Sequence, residues 1–164
     1  MSSACCCFDI MVWQVRGTRG QIEPLDSGEV GPLSFPLEVQ MYFSVDGIGF
    51  LWPSLGSTVD LKVDTFPIQK PGPWVELRRP VNRICLPKGT SLTTTMRVSV
   101  REEDAMGERL LGFKDEFGEA WGSITLDCCL KTIYPPQTIT VELDSLGNGG
   151  GQVEVAFYAE RVCC

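Results

Sequence analysis

Thr95-Met96-Arg97-Val98-Ser99-Val100-Arg101 is the stretch that decides the fold class. In an extended chain successive side chains point to opposite sides, so Met96, Val98 and Val100 face one way and the polar residues the other, as a half-buried strand requires. The same alternation recurs in Thr138-Ile139-Thr140-Val141-Glu142-Leu143 and in Gln152-Val153-Glu154-Val155-Ala156-Phe157. Further short apolar stretches lie between Gly, Pro and Asp turn signals, at residues 8–15, 37–45, 59–63, 74–77, 83–86, 92–100, 123–130, 137–143 and 152–162. Eight or so strands of this kind imply an all-β fold, an antiparallel eight-stranded β sandwich.

Helix is scarce. From Gly107 to Ala120, Leu110, Leu111, Phe113 and Phe117 could line one helical face, but Gly112 and Gly118 weaken it and the segment reads as a loop. Residues 17–36, with four glycines, Pro24, Pro32 and Pro36, read as a long inter-strand loop, and Gly147 to Gly151 as a hairpin turn. Trp13 and Trp74 fall in strand-like segments and are expected in the core.

The 164 residues are one domain's worth, 1–164, with a Cys-rich N-terminal segment at 1–7. With 43% hydrophobic and 21% charged residues the chain can bury a core. It has no histidine, which removes Ser-His-Asp and Cys-His nucleophile activation, His-based zinc catalysis and imidazole switching. A formal charge of −7 without a long Lys/Arg run is a poor match to a phosphate polyanion, so nucleic acid is not an expected partner.

The eight cysteines stand as Cys5-Cys6-Cys7, Cys85, Cys128-Cys129 and Cys163-Cys164, with no C-x-x-C spacing for a metal finger. No basic-then-apolar leader is visible, no run is long enough to span a membrane, and no N-x-S/T acceptor occurs. The expectation is a cytoplasmic protein with mostly reduced thiols. Cys5, Cys6 and Cys7 could be acylated near a membrane, or could pack as small apolar side chains at the start of a strand. Cys163-Cys164 resembles a prenylation ending, but lacks the long free tail that such processing needs.

Four segments taken in order resemble a C2 domain, the eight-stranded membrane- and protein-binding sandwich. They are Lys62-Val63-Asp64-Thr65 followed by Pro73-Trp74-Val75-Glu76; Leu92 to Val100 followed by Glu102-Glu103-Asp104; Leu110-Leu111-Gly112; and Gly150-Gly151-Gln152-Val153-Glu154-Val155. The resemblance covers residues 37–162. It implies a loop edge where carboxylates hold Ca²⁺, an ion that takes six to eight oxygens. Here the Asp-x-Asp of that edge is Glu102-x-Asp104, and Arg109 stands where another carboxylate belongs. Asp26, Glu29 and Asp46 are the carboxylates on other loops, and the metal candidates reduce to Asp46, Glu102 and Asp104. No cofactor is expected.

Two segments suit contact with a membrane or a partner: the apolar Ile48, Phe50, Leu51 and Trp52, and the basic Arg78, Arg79 and Arg83 with Lys88 nearby. The acidic cluster Glu102, Glu103, Asp104 and Glu108 reads as a solvated loop. The sequence therefore suggests a non-catalytic, calcium-independent interaction module that docks to protein partners as part of a cytoplasmic scaffold. The alternative is a peripheral module on anionic phospholipid, held by the apolar segment, the basic face or acylated cysteines.

Overall fold

The period-two pattern is realised as strands throughout. A computed structural model of the chain describes residues 5–20, 22–23, 33–34, 37–63, 70–103, 115–128, 133–143 and 150–162. In chain order the strands are β1 (Cys5–Arg19), β2 (Ile22–Glu23), β3 (Leu33–Ser34), β4 (Leu37–Val45), β5 (Ile48–Trp52), β6 (Val59–Leu61), β7 (Val75–Pro87), β8 (Ser91–Glu102), β9 (Glu116–Asp127), β10 (Ile133–Glu142) and β11 (Gln152–Val162). Two antiparallel sheets result. One has the order β10-β11-β1-β7; the other has the order β5-β4-β8-β9, with β6 also paired to β4. The short β2-β3 ribbon stands apart.

The deciding stretch lies in β8, in the middle of the five-stranded sheet. Its register sets Met96 opposite Val45, Val98 opposite Phe43 and Val100 opposite Met41, so one continuous apolar row faces inward. From the other sheet Phe8, Ile10, Val12, Val153, Val155 and Phe157 meet it, all with no exposure. Facing apolar rows of two sheets make the core of a β sandwich. Asp46 and Gly47, with φ of 51° and 77°, form the two-residue turn between β4 and β5, where positive φ at both positions matches the twist of the strands.

Several elements differ from expectation. Residues 74–77 and 83–86 merge into β7, which tolerates Pro80 because it is the edge strand of its sheet and one side of its backbone needs no ladder partner. Residues 123–127 are the second half of a strand that begins at Glu116, so 116–120 is strand and not loop. The inward positions of that first half are Gly118, Ala120 and Gly122, and β10 takes up the space they leave. A Cβ on Gly118 would lie 2.3 Å from the Glu142 carbonyl oxygen, and one on Gly122 would lie 2.6 Å from Ile139 Cγ1. β1 continues to Arg19, so the inter-strand connection starts later than residue 17. The turn at 147–149 lies outside the described residues.

The thiols are not all reduced. Cys6 is bonded to Cys128 and Cys7 to Cys85. Neighbours on a strand point to opposite faces, so Cys6 reaches inward to the end of β9 while Cys7 joins its own sheet partner on β7. Cys6 and Cys7 are buried as well, which agrees with the alternative of small apolar packing at the start of the strand and not with acylation at these two positions. The side chain of Cys5, like Cys163 and Cys164, lies outside the described residues.

Candidate interaction face

Because the core side of β9 from Gly118 to Gly122 is taken by small residues, the large residues of this part stand on the other side. Phe117 and Trp121 are 58% and 61% exposed on the outer face of the five-stranded sheet. Register places Gln40, Arg101 and Phe117 in one cross-strand row, Leu51, Tyr42, Ser99 and Glu119 in the next, and Ser44, Arg97 and Trp121 in a third. Ser99 is small between larger neighbours. The result is a shallow depression of about 370 Å³, walled by Gln40, Tyr42 and Leu51 on one side and by Phe117 and Glu119 on the other.

The polar groups of this face are held in place. Arg97 pairs with Glu119, and that carboxylate raises the pKa of the guanidinium, which stays charged at any working pH. Arg101 pairs with Glu103 at 3.0 Å and lies 6.0 Å from the Phe117 ring centroid, within cation–π range. Beyond Trp121 the face continues as hydroxyl pairs, Thr95 with Ser123 at 3.1 Å and Thr93 with Thr125 at 2.8 Å. Tyr, Trp, Phe and Arg on a rigid sheet are the side chains that dominate protein interfaces.

The expected contact segments are arranged differently. Ile48, Phe50, Leu51 and Trp52 do not form a loop tip: they are β5, an edge strand. Phe50 and Trp52 pack on the core, Phe50 with its centroid 5.3 Å from Phe43, while Leu51 joins the outer face and Ile48 is exposed. Nor do Arg78, Arg79 and Arg83 make one basic face. Arg78 pairs with Glu76; Arg83 donates two hydrogen bonds to Asp9, whose carboxylate raises its pKa. Arg79 stacks over Phe50 at 3.9 Å, and next to it the Asn82 side-chain amide donates to the Val45 carbonyl at 3.1 Å. The apolar and basic segments therefore meet each other, closing one side of the sandwich.

The carboxylate candidates also separate. Asp46 sits at the end of β4 beside Val45, opposite Met96, whereas Glu102 is opposite Val39. Seven residues of strand divide them, roughly 24 Å, so the two cannot share an ion. Glu102 is no member of a solvated loop: it ends β8, is 2% exposed, and lies directly across from the fully buried Glu116. Glu116 accepts the Gly151 N–H at 3.1 Å. Asp26, Glu29, Asp104, Glu108 and Arg109 lie outside the described residues. Among the described residues no three Cys, Asp or Glu side chains converge as a metal site, and no helix is long and apolar enough to cross a membrane.

Phe117, Trp121, Tyr42 and Arg97 were not singled out by sequence for contact. The available signal was the inverted alternation Phe117-Gly118-Glu119-Ala120-Trp121-Gly122, in which small residues alternate with large ones. Comparison of the chain with models of known protein families and with curated proteins finds no match.

Proposed function

We propose that the protein is a non-catalytic, C2-like interaction module that docks a protein partner, independently of calcium, on the outer face of its five-stranded sheet. One observation carries this: two large aromatic side chains, Phe117 and Trp121, stand more than half exposed on one strand beside a depression edged by Tyr42, Leu51 and the paired Arg101. Exposed apolar residues grouped in this way mark contact sites, and the fixed Arg97–Glu119 and Arg101–Glu103 pairs supply a polar rim. The four strands on the main path of each sheet agree with the eight-stranded architecture implied by the C2 resemblance. Residence in an oxidising compartment goes with the two bridges closed, and the cytoplasmic scaffold role with their reduced form.

The test is affinity purification from the native source with the parent chain and with the Phe117→Ala, Trp121→Ala double variant. The parent should recover a stable complex that the variant loses, while both unfold at the same denaturant midpoint. Recovery of the same partners by a folded double variant would refute docking on this face.

A further inference from the structure

The other sheet carries a second depression, and it lies where the ladders of that sheet lose register. Between β1 and β11 the pairing jumps from Val12↔Phe157 to Gln14↔Ala156, leaving Trp13 as the extra residue. Between β1 and β7 it jumps from Val12↔Arg79 to Gln14↔Glu76, leaving Leu77 and Arg78. Between β10 and β11 it jumps from Tyr134↔Ala159 to Gln137↔Phe157, at Pro135 and Pro136. A bulge re-aims the side chain of the residue it inserts. Here three ladders are interrupted around Tyr158, and a depression of about 310 Å³ is lined by Trp13, Arg78, Tyr134, Pro136, Tyr158 and Glu160.

Arg78 shows that this arrangement is held against a local cost. Its φ of 44° is a left-handed conformation in the middle of a strand, uncommon for a residue with a Cβ, and such strain collects where a side chain must be aimed. The charged groups converge on one hydroxyl. Burial raises the pKa of Tyr158, Glu160 and Glu76 push it further up, and Arg78 opposes them. Its phenol therefore remains a hydrogen-bond donor.

The chemistry of the lining selects among ligands. A lone anion would meet Glu160, and a lone cation would meet Arg78. A neutral ligand with a flat apolar face and a polar rim meets neither objection. The ring of a saccharide has such a face of C–H groups, which packs on an indole or phenol, and its hydroxyls suit planar groups that make two hydrogen bonds, as carboxylate and guanidinium do. The volume falls within the range of small-ligand sites. We infer that this face binds a neutral saccharide, with Trp13 and Tyr158 as its stacking surfaces and Arg78 and Glu160 as its hydroxyl partners.

The test is native electrophoresis of the full oxidised chain through gels containing soluble β-glucan, xylan, glucomannan or amylopectin. At least one should retard the parent protein and Trp121→Ala, whose substituted residue lies on the opposite sheet. Trp13→Ala should abolish the retardation and Glu160→Gln should weaken it roughly tenfold, the scale of losing a charge-assisted hydrogen bond. Denaturant midpoints identify a Trp13→Ala protein that fails to fold, in which case Glu160→Gln decides. No retardation by any of the four polymers, equal retardation of the folded variants and the parent, or equal loss in Trp121→Ala would overturn the inference.

Discussion

Replacing Gly122 by alanine tests why β9 is turned inside out. The added Cβ would lie 2.6 and 2.8 Å from Cγ1 and Cδ1 of Ile139 and 2.9 Å from Cε1 of Phe157. All three are well inside van der Waals contact, and Ile139 and Phe157 are themselves buried, so neither can simply swing away. Overpacking of this kind costs about 1–3 kcal/mol. Against it stands the smaller conformational entropy of an unfolded chain with alanine, about 0.4–1 kcal/mol in favour of folding. A net loss of about 1–2 kcal/mol follows from these two effects, read as a lower guanidinium midpoint at unchanged slope. Ile139→Ala alone should cost about 2–5 kcal/mol, because it empties a filled site. In that background only the Phe157 contact remains and the vacated Ile139 space lies beside it, so Gly122→Ala should cost distinctly less, giving a coupling free energy of about 1 kcal/mol between the sites. The packing explanation fails if Gly122→Ala costs the same with and without the Ile139 side chain.

Three further outcomes follow from other parts of the molecule. Gly118→Ala should cost more than Gly122→Ala, because its Cβ meets the Glu142 carbonyl at 2.3 Å and a backbone oxygen yields less than a side chain; equal midpoints would refute this. Non-reducing peptide mapping should find Cys6 with Cys128 and Cys7 with Cys85, and reduction should lower stability by about 2–4 kcal/mol per bridge, given closed loops of 122 and 78 residues. The folded-state pKa of Tyr158 is raised, so its contribution to stability is complete below the ordinary tyrosine value and is lost as pH rises through the higher one. Absorbance titration of parent and Tyr158→Phe should assign the difference to a phenol ionising above the ordinary range; a difference at or below that range would contradict the burial that causes the shift.

The fold was legible where one face of a strand is apolar and the other wet. Met96, Val98 and Val100, or Val153 and Val155, announce their strands by composition alone. β9 was only half legible, because its inner face is filled by a neighbouring strand instead of its own side chains. Glycine at an inward position looks like a loop until β10 is known to lie against it. The candidate faces were hidden for a related reason. Tyr42, Ser99 and Phe117 come from three strands, and Trp13 and Arg78 from two bulges, so their proximity is set by register. Register also paired Arg83 with Asp9, and the packing of one sheet on the other stacked Arg79 on Phe50, which no count of nearby charges along the chain reveals.

The two bridges are nested, since residues 7 and 85 both lie within the span from 6 to 128. This fixes how the molecule behaves under tension applied at its ends. A free chain of 164 residues would extend to roughly 560 Å at about 3.4 Å per residue, but the Cys6–Cys128 link removes 122 of those residues from the load path and leaves roughly 140 Å. Cutting the inner link alone lengthens nothing. The outer cysteine pair is therefore the first gate on contour length, the inner pair holds back a further 78 residues once the outer is cut, and a pulled molecule reports its redox state as a distance.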